Sequence, residues 1–523
     1  ITESTALSVI FFCFFQSYVK GLVLMEKTAA RKPVRYVGIK ENLIYGLANS
    51  GQVFSYNMFA GTYLSIFFVK VFGIPSEAVA TMVFILGIWD TVNDPLMGAI
   101  IDKTRTRYGK LRPYLLFVPI PLSIATVLFW GGPLLLQNTK ELTVKIIYMY
   151  ASYLIWEFFY TLGDVPFWSM SAAISPTPSD RARAIASARI ISSILGGIST
   201  AVMLPVLMDL SNNGKISMNL KEVFALCGLI SGIVLLALFS LAGLFVKERV
   251  VQEVEQVKFI DCFRYMFKNK PLFMIILSSV LSTFSGIGGI FSGYFFVEVL
   301  QAMSWNTVIS LLGGIGAVIG YVTIAFARKR LGNLKIMIYN TVVSSITGVI
   351  AFLIAYKNYE TWYVVIPILT GRNIVSNIFS TYNSVASTEV IADCVDYMEW
   401  KTGVRNEGMA FSTLTFLGKL SSRASTAIAT ALLPVIGYIV KEYTDADGLI
   451  QSTATCTEAF GKPTQFWLWA FSTIIPGVLG LISIIPLFFY ELHGKKLEQI
   501  RSELSEKRHE MAQKMNEGGT ENG

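Results

Sequence analysis

The chain contains little charge and almost no histidine. Only 15% of its 523 residues are Asp, Glu, Lys or Arg, and 53% are hydrophobic. A soluble domain carries about 25% charged residues, so this composition excludes an ordinary soluble protein. The two histidines, His493 and His509, lie at or beyond the end of the last apolar run. A histidine-based metal or acid–base site inside the apolar runs is therefore excluded.

Cysteine is also sparse, and its spacing is irregular. The five cysteines form no CxxC pair, and most lie in or beside apolar runs: Cys13, Cys227, Cys262, Cys394 and Cys456. We therefore expect no disulfide framework and no zinc site. The apolar runs also lack a nucleophile–base pair and a metal motif, so the sequence indicates neither an enzyme nor a resident cofactor.

The chain is instead rich in long apolar runs. Runs of about 20 residues recur between short polar breaks, which is the pattern of a helical membrane protein. We predict an all-α membrane protein with twelve transmembrane helices. The predicted helices begin near Asn42, Glu77, Pro113, Thr143, Ala184, Val223, Pro271, Thr307, Lys335, Trp362, Met409 and Gln465.

Basic residues concentrate on every second polar break. The second break holds Lys103, Arg105, Arg107, Lys110 and Arg112, the fourth holds Arg181 and Arg183, and the eighth holds Arg328, Lys329, Arg330 and Lys335. This pattern predicts a multi-pass plasma-membrane protein with both termini in the cytoplasm. It also explains the net charge of +8. Nucleic-acid binding would need a basic face with interleaved aromatic residues, and we find none.

A longer charged stretch divides the predicted helices six and six. It forms a cytoplasmic connector with a short amphipathic helix near Phe259–Phe267. Two six-helix halves joined in this way are typical of the major facilitator fold. The predicted parts are an N-terminal segment (1–41), the first half (42–246), the connector (247–270), the second half (271–490) and a charged cytoplasmic tail (491–523). Residues 1–24 are interpreted as a non-native extension or misassigned start, with an extra span or a signal-like segment as the alternative.

The second predicted helix carries two acids in the middle of its apolar run. Asp90, Asn93 and Asp94 stand at positions i, i+3 and i+4, on one helix face. Pro95 lacks an N–H group, so the carbonyl of Thr91 loses its helical partner. Two ionised acids this close repel each other and need a proton, a basic side chain or a cation. The oxygen-rich group suits Na⁺ or H⁺, and the alternative is a purely structural pair buried against basic residues.

The fourth predicted helix has a polar and aromatic stripe. It carries Glu157, Tyr160, Thr161, Asp164 and Trp168, and the last four follow one another at helical spacing. A carboxylate can accept hydrogen bonds from adjacent sugar hydroxyls, and an indole can stack on the apolar face of a pyranose. The stripe thus suggests a sugar site. Core packing with an interfacial Trp is the alternative.

Two cations lie inside other predicted helices, namely Arg189 in the fifth and Lys419 in the eleventh. Either could neutralise the acids at positions 90, 94 or 164 and donate to substrate oxygens. A structural salt bridge is the alternative role.

A separate acidic pair, Asp393 and Asp396, stands near the predicted cytoplasmic end of the tenth helix. Arg181 and Arg405 are plausible partners. We interpret this set as an ion-pair gate that breaks when the protein opens inward, or otherwise as a solvated helix end.

Taken together, these motifs resemble a known family. The stretch Trp89–Gly98 followed by Asp102-Lys-Thr-Arg-Thr-Arg-Tyr-Gly-Lys-Leu-Arg-Pro113 is similar to the glycoside–pentoside–hexuronide:cation symporters, the family of melibiose permease. Thr161-Leu-Gly-Asp-Val-Pro-Phe-Trp-Ser169 and Ala392–Arg405 match the same family. The resemblance extends from about Asn42 to Phe489.

The resemblance implies roles for individual residues. It places the coupling cation at Asp90, Asn93, Asp94 and Thr161, with Na⁺ between the two acids and H⁺ or Li⁺ as substitutes. It places the sugar at Asp164, Trp168, Arg189, Lys419 and Thr415, and we add Tyr160 and Gln52 to this substrate set. It assigns the gate to Arg181, Asp393, Asp396 and Arg405.

Two positions depart from melibiose permease. That protein has a Lys-Asp pair in its first helix whose Asp holds galactoside hydroxyls, and this chain has Gln52-Val53. Valine cannot accept a hydrogen bond, so galactoside specificity is in doubt. Glu157 stands where that protein has a small residue; it is a further proton-titrating group or a carboxylate paired with a basic neighbour. The first departure is compatible with an anionic glycoside and equally with a pentoside or another neutral glycoside.

The sequence therefore predicts a twelve-helix symporter that moves a sugar or glycoside with Na⁺ or H⁺ by alternating access. Its expected partners are the sugar, the cation and the lipid bilayer, and a monomer is expected. A Na⁺-coupled lysolipid carrier and a sensor that binds sugar without moving it are the alternatives.

Overall fold

The structure is a computed structural model that describes residues 35–59, 61–139, 141–250, 259–403, 407–444, 450–494, 496–506 and 508. Helices make up nearly all of it. The predicted N-terminal extension (1–24) and Arg405 lie outside the described residues. What the sequence analysis says of them stays a prediction.

The first half of the chain is built from nine α-helices within the described residues. They are α1 (Ile39–Met58), α2 (Gly61–Ile66), α3 (Ser76–Lys103), α4 (Arg112–Phe117), α5 (Pro119–Leu135), α6 (Leu142–Ala173), α7 (Pro178–Ile191), α8 (Leu204–Asn212) and α9 (Leu220–Phe245). Wider π-helical turns follow α2 at Phe67–Val71 and α7 at Ser192–Gly196 and Ser199–Met203. Such turns are frequent at functional sites, and the π-turn at Ser192 begins three residues after Arg189.

The second half begins with the short connector helix. Its helices are α10 (Phe259–Lys268), α11 (Lys270–Thr283), α12 (Ile287–Glu298), α13 (Ser304–Leu331), α14 (Asn333–Ile354), α15 (Trp362–Thr402), α16 (Glu407–Ala431), α17 (Thr464–Ile482) and α18 (Ile485–Phe488), with 3₁₀ turns at Phe284–Gly286 and Pro434–Ile436. Residues 496–506 form a further helix, which we call the tail helix.

Between α16 and α17 the chain forms strands, which the sequence analysis did not expect. Strands β1 (Tyr438–Thr444) and β2 (Ile450–Cys456) pair antiparallel, with Tyr438 opposite Cys456. A second, two-residue pair joins β3 (Glu458–Ala459) and β4 (Lys462–Pro463). The end of the molecule with these strands is called the hairpin end, and the opposite end, with the basic loops, is called the basic end.

The observed helices follow the predicted ones closely. Eleven predicted starts lie within about three residues of a helix start, and the fifth helix begins earlier than predicted, at Pro178. Proline is favoured in the first turn because its missing N–H has no helical partner there. The predicted amphipathic connector helix is confirmed as α10, and the predicted helical start of the tail is confirmed as the tail helix.

Seven helical stretches of the described chain are long and apolar enough to cross a membrane: Ser76–Ile101, Ser179–Asn212, Leu220–Phe245, Lys270–Glu298, Ser304–Leu331, Asn333–Ile354 and Thr464–Phe488. The first and third predicted helices are divided into shorter pieces. The fourth, tenth and eleventh, which are α6, α15 and α16, are long but carry more polar residues. This result is consistent with twelve spans, because helices with a polar site lose average hydropathy.

The two halves are held together at the hairpin end. Lys70 Nζ lies 2.6 Å from Glu298 Oε1, and the Tyr438 hydroxyl donates to the same oxygen at 2.8 Å. Asp209 of the first half accepts from the backbone N–H groups of Met303 (2.6 Å) and Ser304 (2.8 Å), at the start of α13 in the second half. A carboxylate at a helix N-terminus is favourable because the first N–H groups have no helical partner.

At the basic end, two ion pairs of the described residues do not join the two halves. Arg249, just after the first half, forms an ion pair with Glu41 in the first turn of α1 (2.8 Å). In the second half, Asp393 pairs with Arg501 of the tail helix, whose apolar residues Ile500 and Leu504 are buried. The protein is thus closed at the hairpin end, with an ion pair and hydrogen bonds across the halves, while these pairs at the basic end do not cross between them.

Candidate functional site

The site is built where α3 of the first half contacts α16 of the second. Gly87 allows this contact, because a Cβ atom added there would lie 2.5 Å from the Arg423 Cβ and 2.7 Å from its Cγ. Real Cβ atoms do not approach this closely, so only glycine lets the two helices cross at this distance. Asp90 and Asp94 follow one and two turns later on α3.

Two cations of α16 meet the two acids of α3. Lys419 Nζ lies 2.5 Å from Asp94 Oδ2 and 3.9 Å from Asp90 Oδ1. Arg423 Nη2 lies 3.5 Å from Asp90 Oδ2. The acid pair is therefore neutralised across the two halves, which is the role that the sequence analysis proposed for Lys419.

Arg423 is a residue that the sequence analysis missed. The sequence did contain a signal for this residue, because Arg423 follows Lys419 by four residues and therefore lies on the same helix face. It stands among small residues in Ser421-Ser422-Arg423-Ala424-Ser425, where a long basic side chain can reach a neighbouring helix.

Polar atoms around the acid pair are buried without partners. Asn93 is 0% exposed, and neither its amide oxygen nor its amide nitrogen has a hydrogen-bond partner among the described residues. Glu157 of α6 is 2% exposed, its Oε2 atom likewise has no partner there, and its electrostatic neighbours include Asp90 and Arg423. A buried polar atom without a partner costs about 1–3 kcal/mol, so a bound ion that supplied the partner would stabilise this arrangement. We call Asp90, Asp94, Glu157, Lys419 and Arg423 the charge cluster.

The oxygen atoms here fit a small hard cation. Two carboxylates and the unpartnered carboxamide oxygen of Asn93 are ligand types that such ions prefer, and Thr161, buried one turn after Glu157 on α6, offers a hydroxyl. Groups of three or more His, Cys, Asp and Glu residues that could hold a metal ion are absent from the described residues. A transition-metal centre is therefore not indicated in that part of the chain, whereas a monovalent cation with mixed oxygen ligands needs no such group.

A second set of predicted residues meets around Asp164 of α6. Gln52 Nε2 donates to Asp164 Oδ1 at 2.7 Å, and Trp168 Nε1 donates to the same oxygen at 3.1 Å. The Arg189 guanidinium lies over the Trp168 ring, 4.6 Å from its centroid. We call Gln52, Asp164, Trp168 and Arg189 the Asp164 group. Lys419 is an electrostatic neighbour of Asp164 as well as of Asp90 and Asp94, so it links this group to the charge cluster.

The Asp164 group has a polar atom that makes no hydrogen bond among the described residues. Gln52 is 1% exposed, and its carbonyl oxygen is buried without a partner among the described residues. Trp168 and Asp164 are half-buried, and Arg189 is exposed. A carboxylate, an indole and a guanidinium that are at least partly exposed, beside a buried amide, can bind a polyhydroxy compound by hydrogen bonds and ring stacking.

Two other predicted substrate residues lie apart from these contacts. Tyr160 stacks on Trp156 and on Tyr56, with ring centroids 5.0 Å apart in both pairs. It therefore extends an aromatic stack and makes no hydrogen bond to Asp164. Thr415 is exposed one turn before Lys419 on α16.

Arg181, one of the predicted gate residues, does not pair with Asp393 or Asp396. Arg181 Nε donates to the backbone carbonyl of Ser175 at 2.7 Å, within its own half. Asp393 pairs with Arg501 at 2.5 Å, and Asp396 with Arg508 at 3.0 Å, so residues of the tail take the place expected for Arg181. Arg405 lies outside the described residues, and the gating role stays a prediction.

Comparison with known proteins identifies the family of this chain. The family model of the MFS/sugar transport protein family matches residues 44–494. The chain is 25% identical to the "glucuronide carrier protein homolog" of Escherichia coli, over 89% of this chain and 95% of that protein. It is 25% identical to the isoprimeverose transporter of Lactiplantibacillus pentosus, over 78% and 83%.

The fold has solved counterparts as well. The crystal structure of the nucleoside transporter NupG superposes with a TM-score of 0.55 at 14% identity, over 86% of this chain and 98% of that one. This similarity concerns the fold alone, and it agrees with the predicted major facilitator architecture.

The expectation that the chain is a transporter and not an enzyme is confirmed, as is the resemblance stated above, because the matched family and these relatives are transporters. The family match covers most of the chain, from residue 44 to residue 494. The chain therefore belongs to the MFS/sugar transport protein family of membrane transporters.

Proposed function

We propose that the protein imports a sugar or glycoside together with one monovalent cation, Na⁺ in the first place and H⁺ as the alternative. The observation that supports this most directly is the position of Lys419. Its ammonium group contacts the acid pair that would hold the cation, and it is also an electrostatic neighbour of Asp164, which would hold the sugar. One side chain thus connects the two sites.

Charge counting supports a single cation. With all its groups ionised, the charge cluster holds three acids and two bases, which leaves one negative charge. The Asp164 group is neutral, because Arg189 balances Asp164. One Na⁺ or one proton would neutralise the remaining charge, and an uncompensated charge inside a membrane is expensive.

The same contacts suggest how coupling works. A Na⁺ ion ligated by Asp90, Asp94, Asn93 and Thr161 would compete with the Lys419 ammonium for Asp94. The displaced ammonium could then turn toward Asp164 and the sugar hydroxyls. Cation binding would raise sugar affinity, and by linkage the sugar must raise cation affinity by the same factor.

The Asp164 group suggests the substrate class. Asp164 accepts hydrogen bonds from hydroxyls, and the exposed Arg189 can meet either hydroxyls or a carboxylate. Val53 stands where melibiose permease has an acid, so this position brings no repulsion toward an anionic sugar. A glycoside, pentoside or hexuronide all fit this chemistry, and two relatives are named for a glucuronide and for isoprimeverose. We place the protein in the plasma membrane as a monomer with both termini in the cytoplasm.

The test is uptake of labelled glycosides, pentosides and hexuronides into vesicles, with and without an inward Na⁺ gradient. Accumulation of one sugar only with the Na⁺ gradient is the expected result, and Asp94→Cys at normal expression should abolish it. Accumulation driven by a pH gradient would retain the sugar assignment and make H⁺ the coupling ion.

Other outcomes would contradict the proposal. Cation-driven uptake that survives in Asp94→Cys would remove the cation site from α3. Saturable sugar binding without any uptake would favour a sensor. Binding of lysolipid in place of every sugar would favour a lipid carrier of the same superfamily.

A further inference from the structure

A second polar cavity lies inside the second half, apart from the charge cluster and the Asp164 group. It has a volume of about 240 Å³ and opens between α11, α14 and α15. Its polar lining includes Ser278, Ser279, Ser282, Thr283, Asn340 and Asn383, and we call it the hydroxyl pocket. No Asp, Glu, Lys, Arg or His lines it within the described residues.

The two carboxamides of the hydroxyl pocket face it from different helices. Asn340 belongs to α14 and Asn383 to α15, and both are half-buried. Neither side chain has a hydrogen-bond partner among the described residues, in contrast to Asn377 of α15, whose amide donates to the Gly313 carbonyl at 3.2 Å. Each free carboxamide offers two donors and one acceptor carbonyl, which is the pattern that adjacent hydroxyl groups can satisfy together.

The pocket lies next to the helix that carries Lys419. Leu414 of α16 is part of its wall, five residues before Lys419, which is about 7.5 Å along the helix axis. Ile275, Met337 and Leu487, also in the wall, are close to the basic-end termini of their helices. The pocket is therefore displaced from the charge cluster toward the basic end, away from the hairpin end that is closed.

We propose that the hydroxyl pocket is a second binding site for a neutral polyhydroxy compound, a sugar or glycoside without charge. The absence of charged groups from its described lining gives a charged sugar nothing to offset the loss of its hydration. The volume equals roughly eight water molecules at about 30 Å³ each, which is enough for one sugar ring. This inference rests on the proposed function only in taking the same class of compound as the ligand.

The experiment measures binding of neutral methyl glycosides of the gluco, galacto and xylo series to the purified full-length protein by calorimetry. Asp164→Asn removes the charge of the main acceptor of the first site, and Asn340→Ala with Asn383→Ala removes both carboxamides of the second. We expect binding to persist in Asp164→Asn and to weaken at least about tenfold when the two asparagines are also replaced. Methyl glucuronide, as the charged probe, should show no binding that depends on the two asparagines.

Controls separate a lost site from a damaged fold. Asn383→Leu keeps the side-chain size while it removes the hydrogen bonds, and it should weaken the same binding. Asn377→Ala, on the same helix but outside the pocket wall, should leave that binding unchanged.

The outcomes distinguish this inference from the proposed function. If Asp164→Asn abolishes all saturable binding, or if replacing Asn340 and Asn383 changes nothing, the pocket holds only water and the inference is wrong. If Asp164→Asn has no effect while the asparagine variants lose binding, the second site exists and the proposed role of Asp164 is wrong.

Discussion

Glu298 accepts from two partners at one oxygen atom, Lys70 of the first half at 2.6 Å and Tyr438 at 2.8 Å. The two side chains of the ion pair are mostly buried, with 21% and 16% exposure. Nearby, the hydroxyls of Ser65 and Tyr294 lie 2.9 Å apart across the two halves. Opening the protein at the hairpin end must break these contacts, so they stabilise the closed arrangement.

Replacing the shared acceptor should therefore favour opening at the hairpin end. Glu298→Gln removes the charge attraction to Lys70 but keeps the side-chain size. We expect about fivefold faster labelling of a cysteine introduced at Ser65, as for a loss of about 1 kcal/mol. The measurement uses a membrane-impermeant thiol reagent on a variant with the native cysteines replaced, because Cys456 lies in the same hairpin.

The matched control for this prediction is Glu491→Gln. Glu491, at the basic end, likewise accepts from two partners, Lys270 at 2.8 Å and Lys496 at 2.7 Å. Neither of these contacts joins the two halves. Its replacement should leave Ser65 labelling unchanged. Equal rates in Glu298→Gln and the parent would show that the ion pair does not stabilise closure.

Gly87→Ala should separate α3 from α16. The new Cβ would lie 2.5 Å from the Arg423 Cβ, and neither atom belongs to a flexible chain end. Overpacking of this kind costs about 1–3 kcal/mol. We expect a lower melting temperature in detergent and reduced transport.

Gly98→Ala is the control on the same helix, since no atom lies within 4 Å of a Cβ added there. Its stability should equal or slightly exceed that of the parent, because alanine is the better helix former. If the two alanine variants melted at the same temperature, the close contact of α3 with α16 would be refuted.

Lys419→Gln should strengthen cation binding and weaken coupling. The ammonium group lies 2.5 Å from Asp94, so its removal leaves the acid pair with less compensating charge. We expect Na⁺ to bind on the order of tenfold tighter, and the effect of Na⁺ on sugar affinity to decrease. Calorimetric Na⁺ titration, with and without sugar, measures both quantities.

Lys401→Gln is the control, because it also removes one positive charge, but from an exposed side chain near the basic end of α15. It should leave the Na⁺ titration unaltered. An unchanged Na⁺ affinity in Lys419→Gln would mean that the ammonium and the cation do not compete for the acid pair.

Arg501→Ala should destabilise the protein through Asp393. Asp393 is 4% exposed and pairs with Arg501 at 2.5 Å, so the substitution leaves a buried carboxylate without that partner. We expect a loss of about 1–3 kcal/mol, detected as a lower melting temperature.

A double variant isolates this pair. Asp393→Asn removes the charge that Arg501 neutralises, so adding it to Arg501→Ala should restore part of the lost stability. Additive effects of the two substitutions would show that the tail helix does not act through Asp393.

The sequence predicted the helices well because their apolar runs are long and their ends are marked by proline and charge. It also singled out Asp90, Asp94, Asp164 and Lys419 as candidate site residues, because a charge within an apolar run is rare. The two small β-pairs near Tyr438 were not anticipated, since short strands in a loop leave little periodic pattern.

Contacts between distant parts of the chain could not be predicted from local pattern. Arg423 has a recognisable spacing from Lys419, but its position against Asp90 depends on how closely α16 crosses Gly87. The pairing of Asp393 with Arg501 depends on where the tail helix packs, and 108 residues separate the two along the chain.

Composition and periodicity alone thus determined a helical membrane protein with acids and bases inside its apolar runs, because burying charge in a membrane is too costly to be incidental. Only the tertiary structure decided which acid meets which base, that the halves close at the hairpin end, and that Asn340 and Asn383 face one cavity. Those features depend on the distances between helices from different parts of the chain, and no local sequence pattern encodes such distances.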